Sequence, residues 1–359
     1  MGMNKRDRTP YSQLKIFYHT DILEQLKAHK RCYPLYIRIK PTNKCNHNCY
    51  YCHYKNAYLD LDEYNALDEI PREKMLEIID DMADMGVKAV TFSGGGEPLL
   101  YPFIEESMQK ILEKNIDLSV ITNGSLLNGK KAELLAQAKW VRISIESIND
   151  AEYCKIRGIN GGGFKNLCEN IKNFSSLKLN SCEFGINVVV GENNYKEVFE
   201  MAKLMKSLGV NHVKFAPLIT NDTLKYHADF KDETSESLAK AQSELNDSHF
   251  KVIDLYTGDF DNSVIFKRQY RECPVKEFIC VIAANQKVYF CHDKAYLSDG
   301  AVGDLKNRSF KELWFSDETT ELFKNFDAVK LCGQHCVYDS RNEIINAFLN
   351  IDMSDADFI

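Results

Sequence analysis

Cys45, Cys49 and Cys52 stand in the run Lys44-Cys45-Asn46-His47-Asn48-Cys49-Tyr50-Tyr51-Cys52, directly after the apolar segment Leu35 to Ile39. Thiols at this spacing can wrap one iron–sulfur cube, and three ligands leave the fourth iron of a four-iron cluster open. An open metal position is where chemistry can occur. The same thiols with His47 or His53 could instead close a tetrahedral zinc site, because spacing alone does not separate the two metals. A second chemical loop is Ser93-Gly94-Gly95-Gly96-Glu97-Pro98. Its glycines permit close approach of a ligand, and Glu97 supplies an acceptor for a cationic group. A third group, Cys273, Cys280, Cys291, Cys332 and Cys336, lies in the last quarter of the chain and looks like another metal site.

These residues need elements to hold them. From residue 34 to about 217, short β-branched or aromatic runs alternate with longer segments of helical period. The expected strands are Leu35–Lys40, Ala89–Ser93, Leu118–Thr122, Val141–Ile145, Phe184–Val190 and Val213–Pro217. Pro71 and Arg72 open a helix with Met75, Ile78, Ile79, Met82 and Met85 on one face, stopped by Gly86. Further helices fit Tyr101–Lys114, Lys130–Gln137, Phe164–Phe174 and Tyr195–Leu208. The fold class is α/β. Six strand-then-helix units with right-handed crossovers build a partial (β/α)6, TIM-like barrel, with catalytic residues at the C-terminal strand ends.

Residues 218 to 262 are polar, around Asn221-Asp222, with a helix at Glu233–Leu245 and a possible strand Lys251–Leu255, and read as a connector. Phe278–Ala283 and Lys287–Cys291 then flank Ala284-Asn285-Gln286 as a hairpin. The expected organisation is an N-terminal extension 1–33, the barrel 34–235, a small α+β cysteine-rich domain 236–348 and an acidic tail 349–359.

Composition narrows the function. The chain has 359 residues, 44% apolar and 27% charged, with a formal charge of −7. That balance argues against nucleic-acid partners. The start, Met1 to Arg8, lacks an apolar signal region, and no stretch approaches a membrane span. A cytoplasmic location is expected, where twelve cysteines are metal ligands and buried thiols rather than disulfides.

The cysteine triplet with Tyr51 before its last member, together with the glycine–glycine–glutamate loop at the next strand end, resembles the radical S-adenosylmethionine (SAM) superfamily. The resemblance implies a [4Fe-4S] cluster on Cys45, Cys49 and Cys52, with SAM chelated to the open iron. It places the SAM amino group at Gly95, Gly96 and Glu97. Softer matches are Ser144 and Glu146 for the ribose, Arg157 for the SAM carboxylate, and Asn123 and Asn187 for the cofactor. Ordinary loop capping would account for several of these equally well.

The C-terminal cysteines resemble the SPASM/twitch extension of that superfamily. Cys273 and Cys291 keep its spacing, with Gln286 where the motif has glycine, and Gly303-Asp304-Leu305 and Leu313-Trp314 resemble its connector. Five cysteines suit one auxiliary [4Fe-4S] cluster, on Cys273, Cys291, Cys332 and Cys336, with Cys280 in reserve. Cys32, Cys154, Cys168 and Cys182 read as buried thiols.

The resemblance implies reductive cleavage of SAM to a 5′-deoxyadenosyl radical that abstracts hydrogen from a substrate. An external reductant such as flavodoxin or ferredoxin would supply the electron. Two-electron dehydrogenation of a small molecule, such as an amino sugar or cyclitol, is the expected outcome. A peptide-modifying maturase or epimerase is the alternative, although only 44 residues precede Cys45, short for a leader-binding domain. The superfamily's GTP cyclases are set aside because the chain ends Asp357-Phe358-Ile359 rather than in glycines. A zinc-binding adaptor is the non-catalytic alternative.

Overall fold

The structure is a computed structural model that describes residues 12–55, 61–220, 222–257, 268–332, 336–352 and 354. Asn221, the Gly333-Gln334-His335 segment, the first eleven residues and the end of the acidic tail lie outside the described residues.

Ten strands form one sheet: β1 (Tyr36–Ile39), β2 (Ala89–Phe92), β3 (Asp117–Thr122), β4 (Trp140–Ser144), β5 (Glu183–Val190), β6 (His212–Pro217), β7 (Lys251–Asp254), β8 (Ile279–Ile282), β9 (Lys287–Tyr289) and β10 (Ala301–Asp304). Their order is β10-β9-β8-β1-β2-β3-β4-β5-β6-β7, and β1 through β7 run parallel in chain order. This is the expected parallel barrel, left open. Each parallel crossover carries a helix, which is what covers the outer face of such a sheet.

Burial alternates along the strands because successive side chains point to opposite faces. On β1, Ile37 and Ile39 are buried outward against Met75, Ile78, Ile79 and Met82 of the helix Arg72–Met85, while Tyr36 and Arg38 are half-buried on the inner face. β4 repeats the pattern, with Val141 and Ile143 buried and Trp140, Arg142 and Ser144 half-buried. The core between sheet and helices is thus apolar, and the barrel interior is polar.

Two features extend the expected plan. Lys251–Asp254 is a strand, and it joins the sheet as β7 beside β6, with the helix Lys231–Leu245 packed on the helix Val198–Ser207. The connector therefore adds a seventh parallel strand to the open barrel, and a division near residue 235 would cut through the helix Lys231–Leu245. The hairpin is present too, but β8 pairs in parallel with β1, so the C-terminal region continues the same sheet rather than standing apart. Residues 12–33 cover this junction, where Ile22, Cys32, Val275, Phe278 and Ile345 are buried together and the Trp314 indole donates to Cys32 O at 2.9 Å.

Gln286 takes the hairpin's left-handed position, with φ of 63°. Its backbone is fixed there by N–H donation to Ala283 O at 2.9 Å and acceptance from Leu305 N at 2.8 Å. A side chain in this region is strained where glycine is not. Gln286→Gly is expected to stabilise the protein by about 0.5–1 kcal/mol; chemical denaturation showing a loss of stability would contradict the assignment of strain.

Candidate active site and cluster sites

The first cysteine loop leaves the C-terminal end of β1 and is pinned on two sides. Gly96 N donates to Thr42 O at 3.0 Å and Glu97 N to Lys44 O at 2.9 Å, so the glycine loop and the start of the cysteine loop are bonded backbone to backbone. A Cβ on Gly95 would stand 1.7 Å from Asn43 Oδ1, and one on Gly96 2.0 Å from Lys44 O. The two glycines thus serve a close approach between two segments of this chain. On the other side, Asn48 N donates to Arg157 O at 2.8 Å.

Glu97 is buried, and its carboxylate is engaged within the protein. Oε1 accepts from Leu99 N at 3.0 Å and Thr122 Oγ1 at 2.6 Å, and Oε2 accepts from Asn123 N at 2.8 Å. Burial raises its pKa, and these donors oppose the rise. Glu97→Gln would turn an amide N–H₂ toward a donor, so we expect a loss of about 1–3 kcal/mol in stability. Weaker SAM binding should accompany it, with iron at Cys45, Cys49 and Cys52 retained. Wild-type stability and SAM affinity in this variant would contradict that role.

Cys45, Cys49 and Cys52 are half-buried. Burial raises the Cys45 and Cys49 thiols, and Arg157 opposes the rise at Cys49, its Nη1 lying 3.6 Å from that sulfur. Arg157 is held by a buried ion pair with Glu146 at 2.5 Å and by Ser144 O. The helix Asp150–Arg157 carries the arginine, and Glu146 follows β4. A charge-assisted pair at this depth fixes both side chains beside the cysteine loop.

A narrow cleft opens next to this pair, lined by Tyr50, Tyr51, Glu146, Val189, Gly191, Asn194 and neighbours at the ends of β4, β5 and β6. Asn194 shapes its floor, donating to Glu146 O at 2.7 Å and Val189 O at 2.9 Å. Arg157 Nε and His47 Nδ1 are buried without a hydrogen-bond partner among the described residues. Three thiols beside a buried Glu146–Arg157 pair whose Arg157 Nε has no hydrogen-bond partner among the described residues suit a cluster-bound polar ligand such as SAM.

Of the residues named from sequence, Tyr51, Glu146 and Arg157 come together here. Asn123 lies across the cysteine loop, donating to Asn46 Oδ1 at 2.9 Å and accepting from Ser125 N. Ser144 contributes its carbonyl to Arg157. Asn187 pairs with Ser144 in the sheet, one inward position below the cavity, which β5 reaches through Val189. Sequence reasoning missed Val189, Gly191 and Asn194. The signal was Gly191 to Asn194 directly after β5, where a glycine and two asparagines stand at a C-terminal strand end.

The second site gathers Cys273, Cys291, Cys332 and Cys336 around one small cavity. Cys273 precedes the turn Pro274–Glu277, Cys291 follows β9, Cys332 ends the helix Ala328–Leu331 and Cys336 precedes the helix Asp339–Leu349. Arg268 ties the last two elements, pairing with Asp339 at 3.2 Å and donating to Ala328 O at 3.1 Å. Burial raises all four thiols, and a neighbouring thiol adds to the rise at Cys273, Cys291 and Cys336. Metal binding reverses such shifts by taking the thiolates. Cys280 is buried on β8 in the main core, away from this cavity. Cys32, Cys154 and Cys182 are buried thiols and Cys168 is half-buried. Among the described residues no three His, Cys, Asp or Glu side chains converge as a single ion requires. The four thiols line one cavity, and four ligands would leave no iron of a cube open.

Comparison with known proteins agrees with this geometry. The family model of the radical SAM superfamily matches residues 39–205, and that of an iron–sulfur cluster-binding domain, SPASM, matches residues 273–337. A probable GTP 3′,8-cyclase of Saccharolobus islandicus is 27% identical over 223 residues, 60% of this chain and 68% of that protein. One from Methanocaldococcus jannaschii is 30% identical over 186 residues, 51% of this chain and 59% of that protein. Among solved structures, Streptococcus suis SuiB bound to SAM superposes with a TM-score of 0.63 at 18% identity, covering 87% of this chain and 72% of its own. The anSMEcpe enzyme with bound SAM gives 0.58 at 20% identity, covering 88% and 97%. With the two matched domains come a SAM-binding [4Fe-4S] cluster, SAM itself and an auxiliary iron–sulfur cluster. No helix among the described residues is long and apolar enough to cross a membrane. The chain is an enzyme that belongs to the radical SAM superfamily and carries a C-terminal SPASM domain.

Proposed function

We propose that the protein is a radical SAM oxidoreductase that dehydrogenates a small molecule held in the open barrel. Four thiols around the second cavity carry this reading. They complete the ligand set of an auxiliary cluster, which favours electron transfer there over direct binding of substrate. In the net reaction the substrate gives up a hydrogen atom to the cleaved cofactor, a proton to solvent and an electron to the auxiliary site.

When bound, the first cluster and SAM supply one-electron reductive cleavage and hydrogen abstraction. The chain's own residues orient and enclose. Arg157, held by Glu146, sets the cysteine loop and offers its unpartnered Nε to a carboxylate. Glu97 and Asn194 fix the strand ends on which the cofactor would rest. Tyr54, Tyr64 and Tyr296 pack together above the inner face of β1, with ring centroids 5.1 to 5.9 Å apart. That aromatic cover excludes water from a space where a carbon radical would react with any neighbour.

The relatives named GTP 3′,8-cyclase favour a second reading, cyclisation. A peptide substrate, as in SuiB bound to its precursor peptide SuiA, is the third. We expect the anaerobically reconstituted protein to be brown and to hold about eight irons per chain in two cubes. About four irons, unchanged when Cys332 and Cys336 become Ala, would remove the auxiliary four-iron cluster. Zinc in a colourless preparation would favour the adaptor.

A further inference from the structure

We infer that the substrate carries an oxyanion, a phosphoryl or carboxylate group, gripped between the two cysteine sites by Arg38 and Lys40. The inference rests on the proposed function, because it names the chemical class of that same substrate.

Arg38 shares the inner face of β1 with Tyr36. The Tyr36 hydroxyl donates to Thr91 Oγ1 at 2.8 Å, the Thr91 and Ser119 hydroxyls lie 2.6 Å apart, and Ser119 donates to Val90 O at 2.9 Å. That row of the lumen is therefore satisfied among neutral groups. The groups bearing on Arg38 are the phenols of Tyr36, Tyr338 and Tyr54, and its buried Nε finds no hydrogen-bond partner among the described residues. Lys40, fully buried just past the strand, donates to Gly94 O at 3.0 Å and to the Tyr54 hydroxyl. Its ammonium lies 4.4 Å from the Tyr54 ring. Ser93 Oγ at the end of β2 is likewise buried and without a hydrogen-bond partner among the described residues.

Two further basic side chains and two imidazoles that burial keeps neutral belong to the same lumen. Arg142 and Lys214 occupy half-buried inner positions on β4 and β6. His53 follows Cys52 and His292 follows Cys291, and both lie within electrostatic reach of Lys40. Asp293 is the carboxylate bearing on Lys40 and His53. Burial, then the charge of Arg38, pushes the Lys40 pKa well down, against the pull of Asp293. A guanidinium held this deep costs several kcal/mol unless an anion meets it, and an arriving oxyanion would favour the charged form of Lys40. An oxyanion would accept from the Arg38 Nε, the Lys40 ammonium and the Ser93 hydroxyl in charge-assisted bonds.

The test titrates pyrophosphate and malonate into the iron-loaded protein by anaerobic calorimetry, with glucose as the neutral control. Saturable binding of one anion and none of glucose is expected, and the tighter anion names the group. Arg38→Gln and Lys40→Gln should each weaken it about tenfold to a hundredfold, and Arg38→Lys should recover part of the loss. SAM affinity and iron content in the same preparations report folding. In wild-type protein, bound pyrophosphate should show 31P hyperfine coupling to a reduced cluster, a readout that needs no variant. Binding no better than glucose, unchanged affinity in both Gln variants, or absent coupling with pyrophosphate bound would overturn the inference. A protein that binds an anion through Arg38 yet yields no oxidised product keeps this inference and loses the dehydrogenase reading.

Discussion

Replacing Cys45, Cys49 and Cys52 together by Ala should reduce 5′-deoxyadenosine formation, with dithionite and SAM supplied, to the rate of a protein-free blank. The three thiols leave the end of β1 on a loop pinned by the glycine loop and by Arg157, whose Nη1 lies 3.6 Å from Cys49 Sγ. Without them nothing holds an iron where SAM would be chelated. The variant should still fold, because these side chains are half-buried on a loop outside the apolar core, and it should retain about four irons at the second site. Residual cleavage well above the blank would remove the first loop from the radical-generating step.

Removing one auxiliary ligand should separate two events that the intact enzyme couples. In Cys273→Ala or Cys291→Ala, hydrogen abstraction should continue while oxidised product falls at least tenfold, because the substrate radical loses its electron acceptor. The gap between 5′-deoxyadenosine formed and product formed is the quantity to follow. The two residues approach the cavity from different elements, the loop before Pro274 and the end of β9, so agreement between them would speak for the cluster rather than a local defect. Equal losses of abstraction and product would place the second site upstream of chemistry, as a substrate-binding or structural feature.

Much of this was legible in the residues. The β-branched runs of β1 to β6 and the apolar face Met75, Ile78, Ile79, Met82 mark strand and helix by period alone, and the two cysteine groups mark the sites. The rest depended on contacts that spacing does not carry. Gly95 and Gly96 read as room for a ligand, whereas they admit Asn43 and Lys44. The alternation puts Asn187 and Val189 on the same inner face of β5, with Val189 at the cavity, while Asn194, in a turn, shapes it through contacts that no period carries. The strand Lys251–Asp254 was visible, yet its polar surroundings hid its place beside β6. Arg38 and Lys40 sat inside an apolar run, and only the inner face of the barrel shows what surrounds them.

The most direct test is the stoichiometry and product mass of one turnover on the true substrate. A two-electron dehydrogenation predicts a product lighter by two hydrogens, with one SAM consumed for each product and no solvent deuterium at the abstracted carbon. A product isomeric with its substrate, or one carrying solvent deuterium at that carbon, would contradict the dehydrogenase assignment and favour cyclisation or epimerisation.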